Sequence, residues 1–475
     1  MEKVGGHAVV IGASMGGLLA TRVLSEHYEQ VTIVERDACP GTGDPRKGVP
    51  QARHAHGILA RGVDALEAIE PGIVDALAGC GALRGDLAAQ GIWCHGGRRH
   101  ATYTSGLRGL LVSRPRLEAQ LLGRVRACPN VGLLERTDAL GLVYADGGRR
   151  AAGVQLLGRE DGAAEEVLSA DLVVDASGRG SRVPAWLAQA GYAPPSVERV
   201  EIDLRYTTRV YRRRPGDLGG RTFAVVTAAG EVPRSGVALA MEGDRWIVTA
   251  GGYGEDPPAD PEGFADYLGT LAIPDLGELV RKAEPGAGGA VHYRTSASVR
   301  RRYERLRRWP AGLLVIGDAL CGFNPIYGQG MTVAALEAIA LRDLLREGGG
   351  GLARRFFRRA SRLIDMAWGT AVVSDLGLDA VPGRRTAATR FVNWYLQKLH
   401  LAAQTDPVVA SAFLAVANLC AAPLSIMRPA IVGRILRSHS ARVRGAWGRG
   451  GCAGGPGVGE LTIPEPGAEP GAGEN

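Results

Sequence analysis

Val9-Val-Ile-Gly12-Ala-Ser14-Met15-Gly16-Gly17 is the stretch that decides how this chain folds. It joins a short apolar run at 7–11 to a helically patterned segment at 18–25, and residues 31–35 then read as a second buried strand. This is a β-turn-α-β unit. A dinucleotide pyrophosphate needs backbone N–H groups at a helix start and small residues where chain and phosphate come close. Gly12 suits the tight turn, and Gly17 the packing of helix on strand. Ser14, Met15 and Gly16 lie where the amides are wanted, with Ser14 in place of the usual second glycine. Glu35 ends the second strand 23 residues after Gly12, where a ribose hydroxyl would be bound. Glycine fingerprints are weak evidence in a chain with 69 glycines. The strand, the helix and Glu35 together carry the dinucleotide reading.

The rest of the composition sets bounds. The chain has 475 residues, 45% apolar and 22% charged, a globular balance that excludes a wholly disordered chain. Seven scattered cysteines without a Cys-x-x-Cys pair argue against a disulfide framework or a zinc site, and fit a reducing cytosol. The net charge of +7 comes almost wholly from arginine, in clusters at 212–214, 300–302 and 354–359. With few aromatics interleaved, these read as solvated or anion-contacting groups, so no nucleic-acid partner is expected. Residues 408–427 carry no charge and are long enough to span a bilayer. They are alanine-rich and include Asn418 and Pro423. A buried or interfacial helix broken near Pro423 is expected, rather than a membrane span or peripheral membrane contact.

Helical patterns cover 58–69 and 115–127, and 172–175 is a buried strand ending in a Gly/Ser turn. Strand patterns lie at 201–211, 222–229, 236–241 and 245–251; several alternate apolar and polar residues and predict an antiparallel sheet. Residues 352–436 read as helical. The Gly/Pro/Glu-rich segment 445–475 is expected to be a disordered tail.

A second motif lies about 300 residues further on: Leu313-Leu-Val-Ile-Gly317-Asp318-Ala319, then Asn324-Pro325-Ile-Tyr-Gly328-Gln329-Gly330-Met331-Thr332. A strand ending in Gly-Asp offers a carboxylate to a polar ribityl chain where backbone and ligand approach. A helix starting near Gly330 brings amides and a positive dipole end toward a ring that becomes anionic on reduction.

Together, the glycine turn with Glu35 and the Gly317-Asp318 loop resemble the flavoprotein monooxygenases of the aromatic-hydroxylase fold, over most of residues 1–345. The resemblance implies FAD and an α/β chain. A Rossmann-like FAD-binding domain (1–75, 105–185, 295–345) would carry an inserted antiparallel-sheet substrate domain (76–104, 186–294) and a helical C-terminal region (346–444). Ser113-Arg114-Pro-Arg-Leu117 resembles a helix start whose arginine contacts FAD in that family. Gly330–Ala334 is similar to the matching loop of squalene epoxidase. Val49–Leu59 and Phe323–Gly330 are similar to bacterial polyketide epoxidases of polyether biosynthesis. The resemblance assigns cofactor contacts to Gly12, Ser14, Met15, Gly16, Gly17, Glu35, Arg36, Arg46, Arg114, Asp175, Gly178, Gly317, Asp318, Gly328, Gly330, Met331 and Thr332. It places Asn324, Pro325, Gly328, Gln329 and Gly330 at the reacting edge, and no metal. His54-x-His56 lacks a nearby third ligand and is read as part of a loop near the flavin.

The family's usual Asp-Gly on the mid-chain strand is replaced by Asp175-Ala-Ser-Gly178, and no second glycine-rich βαβ unit is present. Electrons are therefore expected from NAD(P)H, either directly or through a separate flavin reductase. The implied reaction is oxygen transfer from O2 through a C4a-(hydro)peroxyflavin to an apolar small molecule, foremost epoxidation of an alkene in a polyketide or terpenoid. The alternatives are hydroxylation of an aromatic or polyketide ring, FAD-dependent alkene reduction, and non-catalytic FAD binding. No Trp-x-Trp pattern occurs, which argues against the flavin halogenases. Cys321 has no local base and reads as a small buried residue. The antiparallel sheet is expected to wall the flavin, with the C-terminal helices closing the pocket.

Overall fold

The computed structural model describes residues 3–438 apart from 40, 42 and 47. The tail expected at 445–475 lies outside the described residues. At the centre is a five-stranded parallel sheet in the order Leu313–Val315, Leu172–Asp175, Gly5–Ile11, Tyr28–Val34, Val131–Leu134. Its inner strands are near-continuous apolar runs because both faces are covered. Val9, Val10, Ile33, Val173 and Leu313 have no exposed surface, and each such side chain contributes roughly 1.5–3 kcal/mol.

Register puts the sheet's working edge in one place. Ile11 lies beside Val34 and Asp175, and Asp175 beside Val315. The ladder continues one residue further, with Gly12 N–H donating to Val34 C=O (2.8 Å) and Ile316 N–H to Asp175 C=O (2.9 Å). Strand order reverses at Gly5–Ile11, so the turns after Ile11, Val34, Asp175 and Val315 open onto the position where α/β sheets bind ligands. The helices Met15–His27 and Gly330–Glu347 pack over this sheet. A small antiparallel sheet, Thr137–Ala145, Arg150–Gly158 and Glu165–Ser169, flanks it.

The second layer is an eight-stranded sheet in the order Cys321–Gly322, Val291–Arg301, Val197–Arg212, Arg245–Tyr253, Arg234–Met241, Phe223–Val226, Gly91–His95, Arg98–Arg99. It is antiparallel as the alternation predicts, except that Phe223–Val226 runs parallel to Gly91–His95. Its longest strand, Val197–Arg212, carries a bulge between Glu201 and Leu204, where Asp203 takes a positive φ of 36°. The helices Pro261–Gly269 and Asp275–Lys282 cover one face around the buried Trp246.

The C-terminal region comprises the helices Leu352–Asp375, Ala387–Ala403 and Pro407–Ala417, a 3₁₀ turn Pro423–Met427, and helical residues 429–438. The uncharged segment 408–427 is not one helix broken at Pro423. The helix ends earlier, at Ala417, because Leu419 turns left-handed (φ 58°). Among the described residues no helix is long and apolar enough to cross a membrane. The region is tied to the rest at several points. Ala101 N–H donates to Ala403 C=O (2.8 Å), and Ala60 N–H to the buried Asn418 Oδ1 (3.1 Å). His95, His100 and His400 stack around Phe413, with His–His ring centroids 5.3–5.7 Å apart.

Candidate functional site

The two motifs meet at the sheet edge. Gly12 has φ +102°, and a Cβ there would lie 2.7 Å from Ala176 O. A Cβ on Gly17 would lie 1.8 Å from Gly12 O, so the turn and helix close only with glycine at both positions. A Cβ on Gly16 would sit 3.9 Å from both Gly317 Cα and Ala334 Cβ. Residues 300 apart in sequence therefore share one cleft. Met15 sends its side chain into the core. Ser14, at the helix N-cap, does not cap it. The first amides of Met15–His27 thus have no side-chain partner, the arrangement that suits a phosphate.

Ser14 instead belongs to a buried charge network. Its hydroxyl donates to Glu118 Oε1 (2.6 Å) and accepts from Arg114 Nη2 (3.0 Å). Glu118 also accepts from Arg114 Nε (3.1 Å) and Arg46 Nη2 (3.0 Å). Burial would raise the Glu118 carboxyl, but Arg114 and Arg46 beside it, with the Ser14 hydrogen bond, hold it below its ordinary value. Arg46 reaches Ala13 C=O (2.9 Å) and lies 3.3 Å from Glu35 Oε2. Glu35 accepts from Ala13 N–H (2.7 Å) and Asp37 N–H (3.0 Å), which leaves Oε1 room for one more donor. Arg36 is exposed and reaches toward Gly48 C=O. The sequence reading missed Glu118, although its four-residue spacing from Arg114 on a helix was a usable signal.

On the second segment, Asp318 is 37% exposed, with Oδ2 3.5 Å from Arg179 Nε. A Cβ on Gly330 would lie 3.6 Å from its Oδ1, so Asp318 stands beside the start of the Gly330–Glu347 helix. That start has no side-chain cap, and the buried Gln329 Oε1 has no partner. Gly328 takes φ +64°. Met331 is buried, and the Thr332 hydroxyl is buried where this helix crosses Ala60–Ile69 at Gly62. Both Asp175 oxygens are taken up, Oδ1 by Ser177 N–H and Oγ (3.0 and 2.5 Å) and Oδ2 by Ser181 Oγ (2.5 Å). Gly178, at φ +78°, faces open space. Glu337 is wholly buried. Its Oε2 accepts from Gly317 N–H (2.7 Å), its Oε1 has no partner, and burial pushes its pKa up to about 8. Cys321 is buried too, and desolvation raises its thiol well above the ordinary value.

The loop between these turns is anchored from behind. Asn324 is fully buried. Its Oδ1 accepts from Ile326 N–H (3.1 Å), and its Nδ2 donates to Tyr253 Oη (3.1 Å) and Asp375 Oδ1 (2.7 Å). Tyr327 Oη donates to the same Asp375 oxygen (2.8 Å). Asp375, the last residue of Leu352–Asp375, has no exposed surface, and its Oδ2 has no partner. Burial pushes its pKa up to about 6, against the pull of those two hydrogen bonds. Tyr206, Tyr253, Tyr293, Leu378 and Val381 pack alongside. His54 lies against Tyr206 and Tyr293 (6.0 and 5.4 Å between ring centres), with Nδ1 2.7 Å from Thr208 Oγ1. Burial lowers His54 to about 4 and His56 to about 3, so both are neutral near pH 7. Among the described residues no group of three or more ligating side chains could hold a metal. Asp375 and its tyrosines were also missed by the sequence reading, because strand, loop and helix meet there only in the fold.

Two uncapped helix starts on one sheet edge, glycines whose Cβ atoms would collide, Glu35 with a remaining acceptor and a half-exposed Asp318 fit a long dinucleotide such as FAD.

No family model matches the chain. Protein Rv3254 of Mycobacterium tuberculosis is 32% identical over 456 residues, covering 92% of this chain and 94% of that protein. Many solved structures share the fold, three of them being the following. Pseudomonas aeruginosa PqsL, in complex with 2-aminobenzoylacetate, has a TM-score of 0.61 at 18% identity, covering 78% of this chain and 95% of its own. The flavin-dependent brominase Bmp2 has a TM-score of 0.64 at 13% identity, covering 93% and 100%. The p-nitrophenol 4-monooxygenase PnpA of Pseudomonas putida has a TM-score of 0.58 at 16% identity, covering 92% and 99%. The architecture is therefore that of FAD-dependent monooxygenases, and on the identity that runs through nearly the whole of both sequences the chain belongs to the family of the mycobacterial protein Rv3254.

Proposed function

We propose that this protein is an FAD-dependent monooxygenase that places one oxygen atom of O2 into a small organic molecule. The observation that carries the reading is the approach of Gly16 to Gly317, which brings two uncapped helix starts to one cleft. When bound, FAD would supply the activation of O2. The chain's own part is to hold and orient it. The amides after Ser14 would take the pyrophosphate, Glu35 a ribose hydroxyl, Asp318 the ribityl chain, and Gly328, Gly330 and the amides that follow the ring edge. The Arg46–Glu118–Arg114 network keeps the glycine turn in place. The sheet around Tyr206, Tyr253 and Tyr293 would form the dry wall over the reacting face. NAD(P)H, used directly or through a separate flavin reductase, would supply electrons.

Epoxidation of an alkene remains the reading suggested by the resemblance of 49–59 and 323–330. Ring hydroxylation gains support from Asp375, a buried carboxyl beside the loop that the sequence reading could not supply. The test is isotopic. FAD-loaded protein, a reductant and candidate polyene or polyketide substrates are incubated under ¹⁸O2, and products are weighed by mass spectrometry. One labelled atom per product is expected. Unlabelled product, or protein that does not retain FAD, rejects the proposal.

A further inference from the structure

We propose that the C-terminal helices seat this protein on an anionic lipid bilayer, with their exposed apolar side chains in the headgroup layer. The inference rests on surface side chains and is independent of the flavin reading. Phe391 and Trp394 are 50 and 54% exposed, with ring centres 5.8 Å apart. Every other phenylalanine and tryptophan among the described residues is buried or half-buried. Ala387, Phe391, Trp394 and Lys398 follow one another at intervals of four, three and four residues, so they form one stripe along the helix Ala387–Ala403. Tyr395 and Leu399, beside that stripe, turn into the C-terminal core. Tyr395 Oη donates to Ile426 C=O (2.6 Å), which sets the Pro423–Met427 turn next to this helix. On that turn Leu424 is 80% exposed and Met427 38%, on either side of the buried Ile426.

The charge around these groups selects the partner. From 384 to 438 the sequence holds seven Arg or Lys and one acid, Asp406, which is taken up by Arg434 (3.0 Å). Arg384, Arg390, Lys398 and Arg428 form no ion pair among the described residues. A second copy seated on the same face would set these cations against their own images. Lipid phosphates neutralise them instead, and the acyl boundary below accepts Phe391, Trp394 and Leu424. Tryptophan suits that depth, because its ring is apolar and its N–H polar. No described helix is long and apolar enough to cross a membrane, so the seat is on the bilayer and not through it. The alanine-rich stretch 408–427, weighed alone, argues against peripheral contact. Phe391 and Trp394 lie outside that stretch, and Leu424 projects from its end.

The experiment is flotation of the full-length protein with phosphatidylcholine vesicles carrying about 30 mol% phosphatidylglycerol, beside vesicles of phosphatidylcholine alone. The wild type should float with the anionic vesicles and stay behind with the neutral ones, and salt at about 1 M should weaken the binding. Replacing both aromatics, Phe391→Ser with Trp394→Ser, should lower the partition about tenfold or more. Arg390→Gln with Arg428→Gln should lower it about fivefold for each cation removed. All four side chains are exposed, so both pairs should keep the wild-type thermal midpoint; should one pair unfold, the other decides. A wild type that floats with neither vesicle or equally with both, or folded variants that float as the wild type does, would overturn the proposal. A dimer in solution that the serine pair dissolves, without flotation, would give this face to a second copy and overturn it as well.

Discussion

At Gly17 one methyl group is enough to break the site, since a Cβ would sit 1.8 Å from Gly12 O. Gly17→Ala should cost about 2 kcal/mol or more and abolish FAD retention, measurable as colourless protein with a lowered urea midpoint. Asp318→Ala touches no buried partner and should fold normally. Losing a charge-assisted hydrogen bond should weaken FAD binding about tenfold or more, read by fluorescence titration. An unchanged Kd would remove Asp318 from the cofactor contacts. These residues were legible because their constraint is local: a glycine that must turn, or an acid that ends a strand. Glu118 and Asp375 were not, because what gives them meaning lies far away in sequence. Arg46 is 72 residues from Glu118, and Asn324 is 51 from Asp375.

Secondary elements were readable in proportion to their periodicity. The apolar runs of the parallel sheet and of Arg234–Met241 and Arg245–Tyr253 are visible because burial is nearly continuous there. Val291–Arg301 was overlooked. Its exposed positions are His292, Arg294 and Ser296, while its buried ones are Thr295, Ala297, Ser298 and Arg300, so no apolar alternation marks it until Val197–Arg212 pairs with it. Two elements invite tests. On the Arg114–Arg126 helix, Glu118→Ala leaves two buried guanidinium groups without their carboxylate. It should cost about 3 kcal/mol or more, seen as a fall in thermal midpoint. On Gly330–Glu347, Glu337 keeps its proton in the folded state up to about pH 8 but loses it near 4.5 when unfolded. Its contribution is therefore full in acid and declines as pH rises through that window. Glu337→Gln should abolish that decline and raise stability at pH 8 by about 1 kcal/mol or more, with little change at pH 5.

For the molecule as a whole, the join between the C-terminal helices and the sheet depends on pH with the opposite sign. Burial lowers His100 to about 4 and His400 to about 3. Unfolded histidines protonate near 6.5, so this docking is fully stable above that pH and weakens as pH falls toward the folded values. By pH 5 the loss should reach about 1–2 kcal/mol for His400. His400→Leu should flatten the curve of thermal midpoint against pH between 7 and 5; an equally steep curve would assign the acid lability elsewhere. Such a join is invisible in sequence, since it pairs His100 with a residue 300 positions later.

The amide of Ala60 opens a helix whose preceding residue, Leu59, offers no cap, and it finds its acceptor in Asn418. A ribosome delivers Asn418 long after that helix has emerged. The Leu59 side chain also borders the Gly328 turn. The start of the Ala60–Ile69 helix therefore reaches its final order only once a residue 358 positions later has docked, which ties this corner of the fold to the arrival of the C-terminal helices.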